Sequence, residues 1–240
     1  MASVTIIGDS FIKRLRNHRP STRLLENDPT LSVIRYMFQF TDGRSVQSIY
    51  RILQADPSIF PTSALLVFHI GGNDFMNVDI PPRQLARLFV ERIIDILIAS
   101  RSIRACVFPI LHRYGLSAYT YHTSRYRDIV SLSNIHDMEK DFNHNVDDFN
   151  DEIRKLTRPD PRLRYGKLPG IITDTASFLD PDGVHLHHSE MLRYAAALKL
   201  EVRIGTSAYR RRLGLVPRRR VGPRPVQPPV PRRRRRRRRN

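Results

Sequence analysis

Val4-Thr5-Ile6-Ile7-Gly8-Asp9-Ser10-Phe11-Ile12-Lys13-Arg14-Leu15 is the stretch on which the reading of this chain turns. Val4 to Ile7 reads as a short buried strand, and Phe11, Ile12 and Leu15 then recur at helical spacing. Strand, tight turn and helix follow one another with no linker between them. Strands that are buried on both faces read as continuous apolar runs, as they do in parallel sheets covered by helices.

The rest of the chain repeats that alternation. Leu31 to Phe40 is a second strand candidate, with Thr41-Asp42-Gly43 as a turn and a helix from about Val46 to Leu53. Ala64 to Ile70 is a third strand, broken by Gly71-Gly72. Pro81-Pro82 opens a long amphipathic helix with Leu85, Leu88, Phe89, Ile93, Ile96 and Leu97 on one side, since proline is well tolerated at a helix start. Ile103 to Phe108 gives a fourth strand, residues 111 to 135 a loop insertion, and Met138 to Leu156 a helix. A fifth strand falls within residues 162 to 172, and a closing helix runs from about Ser189 to Arg203. This order predicts an α/β fold, a three-layer α/β/α sandwich around a five-stranded parallel sheet.

Composition separates a body from a tail. At 240 residues and 40% apolar content the chain can bury one core. Its net charge of +18 is misleading, because residues 206 to 240 hold fifteen arginines and no acid, and subtracting these leaves +3 for residues 1 to 205. The predicted division is a domain over residues 1–205 and a disordered Arg- and Pro-rich tail over 206–240, which has too little apolar content to build a core. The single cysteine, Cys106, lies in an apolar run and excludes an internal disulfide framework. Val4 to Ile7 is too short for a secretory signal, and no run approaches a membrane span, so a soluble intracellular protein, cytoplasmic or nuclear, is expected.

Four pieces carry candidate chemistry: Gly8-Asp9-Ser10, Gly43, Gly71-Gly72-Asn73-Asp74 and Asp182-Gly183-Val184-His185. A serine hydroxyl is a weak nucleophile that needs a base within hydrogen-bond reach and a third group to hold the imidazole. His185 and Asp182 can supply both from one tight turn. Each piece has an ordinary rival: Ser10 as the N-cap of the first helix, Asn73 and Asp74 as turn formers, Asp182-Gly183 as a plain turn.

In this order the four pieces resemble the SGNH hydrolases, the GDSL esterase/lipase family, over about residues 1 to 205. The resemblance implies a flavodoxin-like sheet of order 2-1-3-4-5, with Ser10 and Asn73 meeting at the switch point beside strand one. It implies a triad of Ser10, Asp182 and His185, and an oxyanion hole of the Ser10 and Gly43 backbone N–H groups with the Asn73 amide. Asp180 precedes His185 in the same loop, but the family pattern favours Asp182 as the orienting acid. Asp9 and Asp74 read as supporting carboxylates that accept backbone N–H bonds, and His69 as a hydrogen-bonded core residue. No cofactor is implied. His185, His187 and His188 lack a companion cluster of metal-ligand spacing, so a metal site is rejected.

The function expected from the resemblance is an ester hydrolase that acts on a small-molecule, glycan or lipid ester through an acyl-enzyme on Ser10. A second reading comes from the tail, where Arg232, Arg233, Arg234, Arg235, Arg236, Arg237, Arg238 and Arg239 form an unbroken run. Such clusters bind phosphates, so RNA, DNA or an anionic membrane surface are natural partners, and nuclear import is equally open. Oskar-like and some retrotransposon proteins join an SGNH-type domain to nucleic-acid binding. A domain released from catalysis has no need to keep Ser10, Asn73, Asp182 and His185 in register, however. The loop at 111–135 carries Tyr114, Tyr119, Tyr121 and Tyr126 with Arg113, Arg125 and Arg127, and reads as a lid over the crevice, as a stacking and phosphate-contact surface, or as a surface loop packed on the body. The acidic run from Asp137 to Glu152 reads as a solvated helix face.

Overall fold

Alternate residues of β1 (Ala2–Gly8) enter two separate cores, Val4 and Ile6 on one face and Ile7 on the other. β3 (Leu65–His69) does the same, Leu65 and Val67 joining the first set, Leu66 and Phe68 the second. Apolar residues therefore occupy successive positions in these two strands, and neither of their faces is left for water. With β2 (Leu31–Met37), β4 (Ala105–Val107) and β5 (Leu163–Tyr165) these strands form one parallel sheet of order β2-β1-β3-β4-β5. The computed structural model describes residues 2–29, 31–37, 45–76, 80–100, 104–115, 135–168, 176–181 and 183–212.

Helices cover both faces. On one lie α1 (Ser10–Asn17), α2 (Arg19–Glu26) and α7 (His188–Arg212), which bury Phe11, Ile12, Leu15, Leu25, Tyr194 and Leu198. On the other lie α3 (Val46–Ala55), the continuous pair α4 (Pro82–Arg87) and α5 (Asp95–Ser100), and α6 (Ile135–Thr157). This is the three-layer α/β/α sandwich that the sequence predicts, with the strand order that the family resemblance implies.

The differences from the sequence reading have local causes. The sequence reading does not include α2, an eight-residue helix with Pro20 in its first turn, where a proline's missing N–H costs nothing. Between α4 and α5 the helix widens into a π-helical segment, Leu88–Ile94, so that buried residues recur every four positions, at Leu85, Phe89, Ile93 and Leu97, and Ile96, expected on the same side, is exposed. α7 runs to Arg212, nine residues beyond its predicted end, because Gly205 interrupts it without stopping it. Phe38 to Phe40, Gly43, the loop residues Tyr119, Tyr121, Arg125, Tyr126 and Arg127, Asp182, and the arginines from 218 onward lie outside the described residues. Among the described residues no helix is long and apolar enough to cross a membrane.

Candidate active site

Gly8 ends β1 opposite His69 at the end of β3, so the segments that follow these two strands start side by side. After β1 the chain turns into α1, and the N-cap is Asp9, whose Oδ1 accepts from the Phe11 N–H at 2.9 Å. Ser10 is thereby the first helical residue and not the cap. Its Oγ lies 2.7 Å from Nε2 of His185. With the ring proton on Nδ1, the hydroxyl donates to Nε2.

His185 is presented by a small closed loop. Leu179 and Leu186 form an antiparallel bridge, the Asp180 N–H donates to the His185 carbonyl at 2.7 Å, and the Gly183 N–H donates to the Asp180 carbonyl at 2.8 Å. Gly183 has φ +66°, a left-handed conformation that a side chain disfavours, which accounts for glycine there. The Asp180 carboxylate pairs with Arg14 at 2.7 Å. The His185 ring, in a buried residue, packs on Phe11 with centroids 5.4 Å apart, and Phe11 stacks on His69 at 4.8 Å. His69 is itself buried, with Nδ1 2.6 Å from the Tyr194 hydroxyl, and burial pushes its pKa down to about 3, so it stays neutral.

After β3, Asn73 and Asp74 enter the same end of the sheet. Asp74 accepts from the backbone N–H groups of Val46, at 2.9 Å, and Gln47, at 3.4 Å, and so anchors the start of α3. Burial is the main reason its carboxyl pKa is raised to about 6, with the nearby Asp9 charge pushing the same way. Asn73 Oδ1 accepts from Arg113 Nη2 at 3.0 Å.

Arg113 belongs to the segment that leaves β4, which reads from the sequence only as the start of a loop insertion. Two asparagines of α6 hold this segment by their carboxamides. Asn150 accepts from the Ile110 N–H and donates to the Ile110 carbonyl, both at 2.9 Å; Asn143 does the same for Arg113, at 2.9 and 3.1 Å. The Tyr114 N–H then donates to the Gly183 carbonyl at 2.8 Å, which ties this segment to the histidine loop. The acidic run on α6 is not simply solvated: Asp148 pairs with Arg83 at 2.9 Å, Glu152 with Arg87 at 3.0 Å and Asp147 with His112 at 2.9 Å. Among the described residues no three His, Cys, Asp or Glu side chains gather as metal ligands would.

The geometry thus joins Ser10 to His185, and Asn73 to Arg113, at the carboxyl ends of β1 and β3. Gly43 and Asp182 lie outside the described residues. No family model and no curated protein matches this sequence. Solved structures do. A provisionally named acylhydrolase from Bacteroides fragilis aligns at 15% identity over 87% of this chain and 88% of its own, with a TM-score of 0.56. A carbohydrate acetylesterase family member from Sinorhizobium meliloti aligns at 14% identity over 86% of this chain and 100% of its own, TM-score 0.55. A provisionally named platelet activating factor from Streptococcus pneumonia aligns at 18% identity over 83% of each chain, TM-score 0.55. The fold is that of the SGNH-type hydrolases.

Proposed function

We propose that this protein is an SGNH-type ester hydrolase that cleaves a carboxylic ester, acyl or acetyl, through an acyl-enzyme on Ser10. The observation that carries this reading is the 2.7 Å contact between the Ser10 hydroxyl and His185 Nε2, made between residues 175 positions apart. An N-capping serine would spend its oxygen on the helix, whereas Asp9 already fills that place here. The fold neighbours named acylhydrolase and acetylesterase support the same class.

In this mechanism Ser10 Oγ attacks the ester carbonyl carbon as its proton passes to His185 Nε2. The carbonyl oxygen becomes an oxyanion, met by the Ser10 and Gly43 backbone N–H groups and by the Asn73 amide; one such donor is typically worth about 10²- to 10³-fold in rate. The tetrahedral adduct collapses, and His185 returns the proton to the leaving alcohol. A water then attacks the acyl carbon with His185 as base, the carboxylic acid departs, and the proton returns to Ser10. Asp182 holds the ring proton on Nδ1. No cofactor enters any step. The substrate is a small-molecule, glycan or lipid ester.

Ser10→Ala is expected to lower p-nitrophenyl acetate hydrolysis by on the order of 10⁴-fold or more. Wild-type rates in a folded Ser10→Ala variant would overturn the assignment.

A second reading, polyanion binding alongside or instead of catalysis, is favoured by charge. Besides the tail, Arg16, Arg19 and Arg23 line a cavity of about 560 Å³ with Tyr36 and one acid, Glu26. Guanidinium groups of this density suit phosphate.

A further inference from the structure

Arg113 is buried, 5% exposed, yet guanidinium is always charged and is all donor with no acceptor. Its Nη2 lies 3.0 Å from one terminal atom of the Asn73 carboxamide. That atom must therefore be the oxygen, and the NH₂ group must occupy the opposite edge. An asparagine without such a neighbour can turn its amide over, and the reversed amide would present a carbonyl oxygen where a developing oxyanion needs a donor.

We propose that Arg113 is a positioning residue of the oxyanion site, fixing the Asn73 carboxamide so that its Nδ2–H bonds face the reacting carbonyl oxygen. The proposal deepens the esterase reading and rests on it. Three further features hold the guanidinium in place. Asn143 grips the Arg113 backbone from both its N–H and its carbonyl. The Phe142 ring lies under the guanidinium, 4.8 Å from its carbon to the ring centroid. At position 72, a Cβ would stand 2.9 Å from Arg113 Nη2, so glycine there keeps the path to Asn73 open.

The test is a double-mutant cycle in the full chain, with p-nitrophenyl acetate as substrate. Arg113→Met is expected to lower kcat by about 10- to 100-fold while KM stays within about 3-fold. In an Asn73→Ala background the same substitution is expected to change kcat by less than about 2-fold, because the residue it acts through is gone. Arg113→Lys, which keeps a charge and a donor, restores part of the loss and serves in its place if Arg113→Met does not fold. Equal fold-losses in both backgrounds would overturn the proposal. An independent readout is the side-chain ¹⁵N amide signal of Asn73: Arg113→Met shifts it and speeds its hydrogen exchange, and an unchanged signal refutes the contact. Absence of a fluorophosphonate label on wild-type Ser10 would overturn the esterase reading, whereas an Asn73 signal that responds to Arg113→Met would still uphold the orientation.

Discussion

Among single residues, what separates Ser10 from any serine at a helix start is the carboxylate beside it. Asp9 takes the capping bond, so the Ser10 oxygen is released to His185. Behind His185 the stack continues through Phe11 to His69, which is neutral and bonded to Tyr194. Held down to about 3 in the fold, His69 titrates near 6.5 in the unfolded chain. Between these values the unfolded chain binds a proton that the folded one refuses, so this residue's contribution is intact above 6.5 and is lost as the pH falls toward 3. The expected loss from His69 is about 2 kcal/mol between pH 7 and pH 5. Denaturant titrations of wild type and His69→Gln at both pH values measure it: the variant's loss is expected to be smaller by that amount, and equal losses would contradict a neutral, buried His69. The motifs of Ser10 and Asn73 stood out because they end apolar runs, and that of His185 because it precedes the apolar closing helix. Arg113 was not, since nothing in an aperiodic stretch distinguishes a buried arginine from an exposed one.

For the elements, the strands and long helices were legible because burial on both faces leaves uninterrupted apolar runs and amphipathic stripes. Their partners were less so. Asn143 and Asn150 stand seven residues apart, two turns along one face of α6, and each imitates a backbone rung toward the segment leaving β4. Asparagine in a helix has no sequence signature for that work. Likewise, the carboxylates of α6 read as solvated until α4 is placed beside them, with Arg83 and Arg87 four apart, opposite Asp148 and Glu152, also four apart. The exposed Arg83–Asp148 pair adds little by itself, so the asparagines matter more. Asn143→Ala leaves the buried Arg113 backbone without its carboxamide partner and is expected to cost about 1–3 kcal/mol in denaturant unfolding. It is also expected to lower kcat, through Arg113 and Asn73. Asn150→Ala is expected to cost similar stability with a smaller effect on rate. Rates unaffected by Asn143→Ala would mean that the segment's position is immaterial to the site.

The whole molecule joins a nearly neutral α/β body to an intensely basic C-terminal sequence. Truncation to isolate the body belongs after Arg212, since a cut at residue 205 would remove the end of α7. The truncated chain is expected to lose most affinity for single-stranded RNA and most of its salt dependence, which runs at about 0.7 log units per phosphate contact. Full retention would instead point to the cavity formed by Arg16, Arg19 and Arg23. Fold class was legible at this scale from the alternation of strands and helices, and strand order only through the family resemblance, whereas the meeting of residues 10 and 185 depends on a crossing topology that spacing alone does not encode. That meeting is the central claim, and intact-mass analysis after incubation with a fluorophosphonate tests it most directly. One adduct is expected on the wild-type chain and none on Ser10→Ala or His185→Ala. A wild-type chain that stays unlabelled, or a Ser10→Ala chain that labels equally, would contradict it.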